Sequence, residues 1–278
     1  MEKIYVLRHI RILCLITTLT MATPAFSGEA NGLRFGSVAM DIPAVMYHRL
    51  LPLTDYLSKA LGQPITLSLS PNMSQAIEEL ASGKVDIAYL TPVAYLKAHE
   101  KGGAQLVVKM VTGNKASFNL DIVVREDSPI KQVSDLRGKR FAFGDKAALL
   151  QRAVVVGAGV PLETLGEYKF IGHYDNIARA VMSGDFDAGI LKDTAAEKWV
   201  GKGLRILHQS PDLPPYNIAV SSKVDKKLLA KLRATLLKLK SDNPDHRAVL
   251  MALDPQYDGF ATTNDKEYDI VRKLIAPF

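Results

Sequence analysis

The sequence predicts an α/β protein of two lobes, each lobe a mainly parallel sheet flanked by helices. Three observations predict it. Short apolar stretches alternate with stretches whose apolar residues recur at helical spacing. The alternation halts at Asp127-Ser128-Pro129, a turn tripeptide, and then starts again. After residue 222 the spacing is helical throughout, with no strand signal. Strand–helix alternation favours parallel pairing, because each helix returns the chain to the end of the sheet it left.

In order, LRFGSVAM (residues 33–40) reads as a strand, and residues 44–61 as a helix closed by Gly62 at its C-cap. Strand 65–70 alternates until Pro71 ends it, and helix 74–82 stops at Gly83. VDIAYL (85–90) is a strand, and the helix over 92–101 has Pro92 in its first turn, where no N–H is needed. Strands 105–112 and 119–126 complete the first half. The second half opens with a short helix over 133–138, capped by Ser134. It continues with strand 140–144, helix 147–158, strand 168–172, helix 176–183, strand 186–191, helix 195–200, and strands 204–209 and 216–221. Helices over 226–240, 246–253 and 266–274 form the tail.

The domain boundaries that follow are a first lobe over residues 28–122, a second over 123–221, and C-terminal helices over 222–278 that return to the first. Strands 119–126 and 216–221 then serve as hinge crossings. Ligands of open α/β sheets bind beyond the carboxyl ends of the strands, so the expected site is a cleft between lobes, closed by hinge motion.

Residues 1–27 set the compartment. Lys3, Arg8 and Arg11 precede an apolar run from Ile12 to Met21, and Ala25-Phe26-Ser27 places small residues where a signal peptidase cuts. The run is short for a permanent anchor. A periplasmic protein beginning near Gly28 is expected. The only cysteine, Cys14, falls in the leader, which removes disulfides and thiolate catalysis from the remainder. The six histidines show no HxH or HExxH spacing, so no metal is expected. The net charge of +6 is spread without basic blocks, which speaks against a nucleic-acid partner. No GxSxG or other nucleophile–base pattern occurs, and no cofactor is implied.

Three segments share a further likeness: SPNMSQAIEELASGKVDIAYLTPVAYLKA (70–98), LDIVVREDSPIKQVSDLRGKRFAFGD (120–145) and VMSGDFDAGI (181–190). They resemble the periplasmic phosphate, phosphite and phosphonate substrate-binding proteins of ABC transporters, in the same order over most of residues 33–239. The resemblance implies the type II periplasmic-binding fold. It also implies an exported monomer that captures a small ligand, anions included, for a phosphonate-like ABC permease. A sensing module for a membrane receptor and an enzyme on the same fold are the alternatives, the second disfavoured by the leader.

The candidate ligand-binding residues cluster at predicted strand ends. Thr91 caps a helix whose free amides suit an anion, and it either meets the ligand or serves as a cap alone. Tyr89 and Tyr95 flank that turn; the resemblance places tyrosines near ligand here, and core packing is the competing reading. Asp145, Lys146 and Ala147 open the helix after strand 140–144, where Lys146 either pairs with an anion or stays solvated. His173 and Asn176 match the family's second-lobe turn. Asp187, in the family's Asp-Ala-Gly, either accepts from a ligand amine or hydroxyl or bonds neighbouring main-chain amides.

The chain also departs from the family. The family's Ser-Thr-Ser-Gly turn, whose hydroxyls hold phosphorus oxygens, is absent: no Ser or Thr occurs from Phe141 to Pro161. Two or three lost hydrogen bonds to a charged group weaken binding roughly 10²–10⁵-fold. Where the family often has tyrosine after its second strand, Asn72-Met73 stands here, and the soft apolar Met73 favours a less polar ligand.

Overall fold

A computed structural model describes residues 32–37 and 43–278; the leader and the end of the first predicted strand lie outside the described residues. The first half runs β1 (Leu33–Ser37), α1 (Pro43–Leu61), β2 (Ile65–Leu69), α2 (Met73–Ser82), β3 (Ile87–Leu90), α3 (Pro92–Gly102) and β4 (Gln105–Thr112). The second runs β5 (Leu120–Arg125), β6 (Arg140–Phe143), α4 (Leu149–Gly157), β7 (Glu167–Phe170), α5 (Tyr174–Met182), β8 (Ala188–Lys192), α6 (Asp193–Ala196) and β9 (Leu204–Gln209). Then follow β10 (Asn217–Val220), α7 (Lys226–Leu236), α8 (Pro244–Leu253), β11 (Tyr257–Ala261) and α9 (Asp269–Ile275).

Two sheets result, in the orders β11-β4-β10-β3-β1-β2 and β7-β6-β8-β5-β9. The predicted mainly parallel pairing needs correction, because both sheets are mixed. β1 pairs in parallel with β2 and β3, and β6 with β7 and β8. β10 instead runs antiparallel to β3 and β4, and β5 antiparallel to β8 and β9. The cause is connectivity. β5 and β10 each enter their sheet directly from the other one, across the gap between them. They therefore start at the end where their neighbours finish.

The tail is the second correction. β11 lies between α8 and α9 and pairs antiparallel with β4. Its sequence, YDGFA, offers only two large apolar residues, Tyr257 and Phe260, both buried against the sheet. Ser134 is not a cap either. Gln132 takes that place, with Asp135 accepting from the main-chain N–H of both Lys131 and Gln132.

Helix faces follow the expected spacing. α1 buries Met46, Leu50, Leu53, Leu57 and Leu61, one stripe against the first sheet. α2 is capped by Asn72, whose side chain accepts from the Gln75 N–H, and ends at Gly83 in a left-handed conformation (φ 73°). Thr91 caps α3 by accepting from the Ala94 N–H at 3.1 Å. α9 lies on α4, with Leu274 against Gly157, while the Tyr268 ring ahead of it meets Tyr95 of α3.

One buried carboxylate fixes the segment between β2 and α2. Glu79 accepts from Ser70 Oγ (2.6 Å), Gln75 Nε2 (3.1 Å) and Lys84 Nζ (2.7 Å). Burial alone would raise its carboxyl, but Lys84, Ser70 and Gln75 outweigh that and hold it at about 2. A carboxyl below its unfolded value stabilises the fold above pH ~4.5 and loses that contribution as pH falls toward 2, up to about 3 kcal/mol in all. Glu79→Gln is expected to destabilise by about 1–3 kcal/mol at pH 7. In denaturant melts the difference from the parent should shrink as pH falls from 5 to 3.

Candidate functional site

The carboxyl ends of β2 and β3 in one sheet and of β6 in the other converge on a single cavity of about 110 Å³. Met73 reaches it from the first residue of α2, and Thr91, Pro92 and Val93 from the start of α3. Ala147, Ala148, Leu149, Leu150 and Gln151 form the facing wall. Phe118 and Tyr216 close the back. They belong to the two segments, 113–119 and 210–216, by which the chain passes between sheets. These segments are paired: the Phe118 N–H donates to the Leu213 carbonyl (3.0 Å) and the Leu213 N–H to that of Phe118 (2.9 Å).

The cavity wall is apolar apart from Thr91, Gln151 and Tyr216, and no described side chain lining it is charged. Gln151 is engaged, accepting from the Gly144 N–H at 2.8 Å and directing its amide at the Tyr174 hydroxyl, 3.4 Å away. It thereby ties the turn after β6 to the start of α5. Behind the wall Tyr216 stacks on Tyr89 with ring centres 5.1 Å apart, and Tyr89 shares a 2.6 Å hydrogen bond with Tyr257. Burial first, then neighbouring phenols and Asp254, raise the Tyr216 and Tyr89 hydroxyls above their usual range, so both stay neutral near pH 7.

Of the residues singled out in the sequence, Met73, Thr91 and Ala147 line the cavity. Tyr89 lies one layer beneath, under Tyr216. Asp145 and Lys146 precede Ala147 on the exposed turn. There Asp145 accepts from the Ala147 N–H (2.7 Å), and the Lys146 carbonyl accepts from Arg152 (2.9 Å). His173 and Asn176 are exposed at the start of α5, where Asn176 donates to the Ile171 carbonyl (3.2 Å). The neighbouring turns are bonded, Gly172 N–H to Gly144 carbonyl at 3.2 Å.

Two residues stand elsewhere. Tyr95 is buried under α9, its hydroxyl donating to Asp265 at 2.7 Å and its ring against Tyr268, so it is a core residue of the α3–α9 contact. Asp187 sits at the amino end of β8, the far end from the cavity. It accepts from the Arg140 main-chain N–H (2.8 Å) and pairs with its guanidinium (2.9 Å), which holds the carboxyl below its usual range. The groove of about 180 Å³ around it contains Arg125 and Arg140, which pair with Asp127 and Asp187.

Phe118, Tyr216 and Gln151 had no motif to announce them: Phe118 falls between two predicted strands, Tyr216 opens a predicted strand and Gln151 lies inside a predicted helix. A further buried acid, Asp121 of β5, lies beside Leu120 of the wall, with one oxygen unbonded within the described residues. Burial pushes its carboxyl up to about 6, the Gln209 amide opposes, and Asp193 and Glu197 add to the rise.

A family profile described as ABC transporter, phosphonate, periplasmic substrate-binding protein matches residues 35–268. The phosphate-import protein PhnD of Mycolicibacterium smegmatis is 26% identical over 162 residues, 53% of this chain and about half (50%) of the relative's length. The phosphonates-binding periplasmic protein of Escherichia coli is 24% identical over 275 residues, 92% of this chain and 79% of its own. Among solved structures, XAC2383 from Xanthomonas citri superposes with TM-score 0.74 at 23% identity over 88% of this chain and 96% of that one. PhnD1 from Prochlorococcus marinus in complex with methylphosphonate gives 0.70 at 18% identity, over 88% and 97%. These likenesses carry the fold, two α/β lobes of the type II periplasmic-binding class.

Two outcomes test this assignment of roles. Asp187→Asn removes the charge that Arg140 pairs with, so stability should fall by about 1–2 kcal/mol with ligand affinity unchanged; a loss of affinity at constant stability would place Asp187 in the site after all. Asp121 has a folded value above its unfolded one. Its charged form therefore costs the fold increasingly as pH rises from about 4 to about 6, reaching about 1–3 kcal/mol. Asp121→Asn should raise the melting temperature at pH 8 and leave it nearly unchanged at pH 4.

Proposed function

The chain belongs to the periplasmic substrate-binding proteins of phosphonate-type ABC transporters, and from that premise we propose that it captures a small ligand between its lobes for an inner-membrane permease. One observation carries the proposal. The cavity is walled by carboxyl strand ends of both sheets and backed by the two paired passages between them. Rotation about segments 113–119 and 210–216 would part its walls without breaking either sheet. On this reading the hinge lies in the segments just before β5 and just before β10, which leaves the sheet of β1–β4, β10 and β11 in one lobe and that of β5–β9 in the other.

Export completes the reading. The family is periplasmic, the leader over 1–27 directs secretion, and a mature chain starts near Gly28. Among the described residues no helix is long and apolar enough to cross a membrane. The family role is capture rather than turnover, and we propose no chemistry for this cavity. Relatives named for phosphate import and for phosphonate binding make phosphorus oxyanions the first ligands to try. The apolar wall favours those with an organic substituent.

Ligand at 100 times its dissociation constant should stabilise the protein by about 2.7 kcal/mol, visible as a rise in melting temperature. The radius of gyration from small-angle scattering should fall as the lobes close. Ala147→Phe, which fills the cavity from one wall, should abolish both responses while the protein stays folded. If phosphonates, phosphate, sulfonates and a pooled metabolite extract all leave melting temperature and radius unchanged, the solute-binding reading fails.

A further inference from the structure

We infer that Lys192 recognises the oxyanion head group of the ligand. The inference rests on the solute-binding reading above and adds to it the residue that meets the charge. Lys192 is the last residue of β8, at the end that faces the cavity. In the antiparallel β5–β8 ladder it stands directly opposite Leu120. Directly opposed residues project from the same face of a sheet, and Leu120 is part of the cavity wall. A second, independent contact agrees. The Lys192 Nζ lies over the ring of Phe118, 5.8 Å from its centre, and Phe118 also lines the cavity.

Lys192 is half-buried, and among the described residues its ammonium meets no carboxylate. Among the described residues it forms no ion pair with its neighbour Asp193, whose oxygens are turned to main-chain donors. One Asp193 oxygen accepts from the Asn119 N–H (3.0 Å) and the other from that of Thr194 (2.7 Å). Asp121 alternates to the opposite face of β5 from Leu120, away from Lys192. A half-buried ammonium over an aromatic ring gains a little from the ring quadrupole, but a bound anion gives it the partner it lacks. Tyr216, which stacks on Tyr89, also lines the cavity.

The rest of the wall sets the body. Met73, Pro92, Val93, Leu149 and Leu150 offer no donor side chain to the ligand, so its remaining surface must be apolar. Burying one methylene there is worth about 0.8 kcal/mol, close to four-fold in affinity.

Titration calorimetry on the mature full chain tests this. The probes are methyl-, ethyl-, propyl- and butylphosphonate, butanesulfonate, pentanoate, inorganic phosphate, and neutral and cationic controls, butanol and butylamine. Affinity should rise about four-fold per methylene until the cavity is full, with inorganic phosphate weakest. Lys192→Gln should weaken every anion at least ten-fold, Lys192→Arg should retain most of the affinity, and both should melt like the parent. Comparison of the phosphonate, sulfonate and carboxylate arms identifies the head group. If Lys192→Gln binds the anions like the parent, the head group lies elsewhere; if butylamine or butanol binds best, the ligand is not an oxyanion. If no alkyl anion binds but a metabolite extract still closes the lobes, this inference falls and the solute-binding reading stands. If neither binds, both fall.

Discussion

The geometry of the cavity depends on a clamp that occurs once in each lobe. After α2 and after α5 the chain passes through a glycine with positive φ, Gly83 (73°) and Gly184 (83°), which only a residue without a Cβ adopts without strain. Three residues later stand Asp86 and Asp187. Each accepts from the main-chain N–H of an arginine in the first two residues of the neighbouring strand, Arg34 and Arg140, both at 2.8 Å. Each also donates its own N–H to that arginine's carbonyl, at 3.0 and 2.9 Å. The two bonds fix the pairing of Phe35 with Ile87 and of Phe141 with Ala188. A slip of one residue would turn every side chain of the strand to the other face. The carboxyl ends, with Thr91 after β3 and the Gly144 turn after β6, therefore reach the cavity at fixed heights.

The same device shows what the sequence can and cannot express. Its elements, GKVD and GDFD, are visible as a helix stop followed by a strand start, and that punctuation makes β3 and β8 legible. Which end of the strand the aspartate occupies is equally plain. What it bonds is not, because its partner arginines are distant in sequence and reach it only through sheet pairing. Asp187 reads in the sequence either as a ligand residue or as a bond to neighbouring main-chain amides, and its contacts with Arg140 match the second reading. Tyr95 likewise reads as ligand contact or core, and its partner Asp265, which matches the core reading, comes from the tail, whose docking on α3 no local pattern announces. Met73, Thr91 and Ala147 were legible because they follow strand ends directly. Phe118 and Tyr216 were not, because passages between sheets carry no periodicity.

The passages themselves are economical. Two backbone hydrogen bonds join Phe118 to Leu213, and the rings of Phe118 and Tyr216 sit on the cavity side of that pair. With the hinge as proposed, residues that back the cavity belong to the segments that would move for it to open. A ligand touching them bears directly on the hinge, so closure needs no relay through the lobes. α9 adds a third contact across the structure, since it rests on α4 while its preceding turn holds Tyr95 and Lys109 of the other lobe. Arg152 of α4 extends that link, its guanidinium lying over Phe278 and bonding the Lys146 carbonyl of the cavity turn.

A site that reads its anion with a lysine rather than a hydroxyl turn measures something different. Hydroxyls and amides set around an oxyanion read the directions of its oxygens, and so tell one head group from another. An ammonium on a flexible stem is a point charge with rotatable donors and reads mainly charge. With Lys192 as the head-group contact and no Ser or Thr between Phe141 and Pro161, discrimination passes from the head to the body. An apolar pocket distinguishes bodies by about 0.8 kcal/mol per methylene, a coarser sieve than hydrogen-bond geometry. Such a receptor tolerates several oxyanions and sorts them by the size of what they carry. The Met73 wall suits that task, because a thioether side chain adapts its shape more readily than the tyrosine it stands in for.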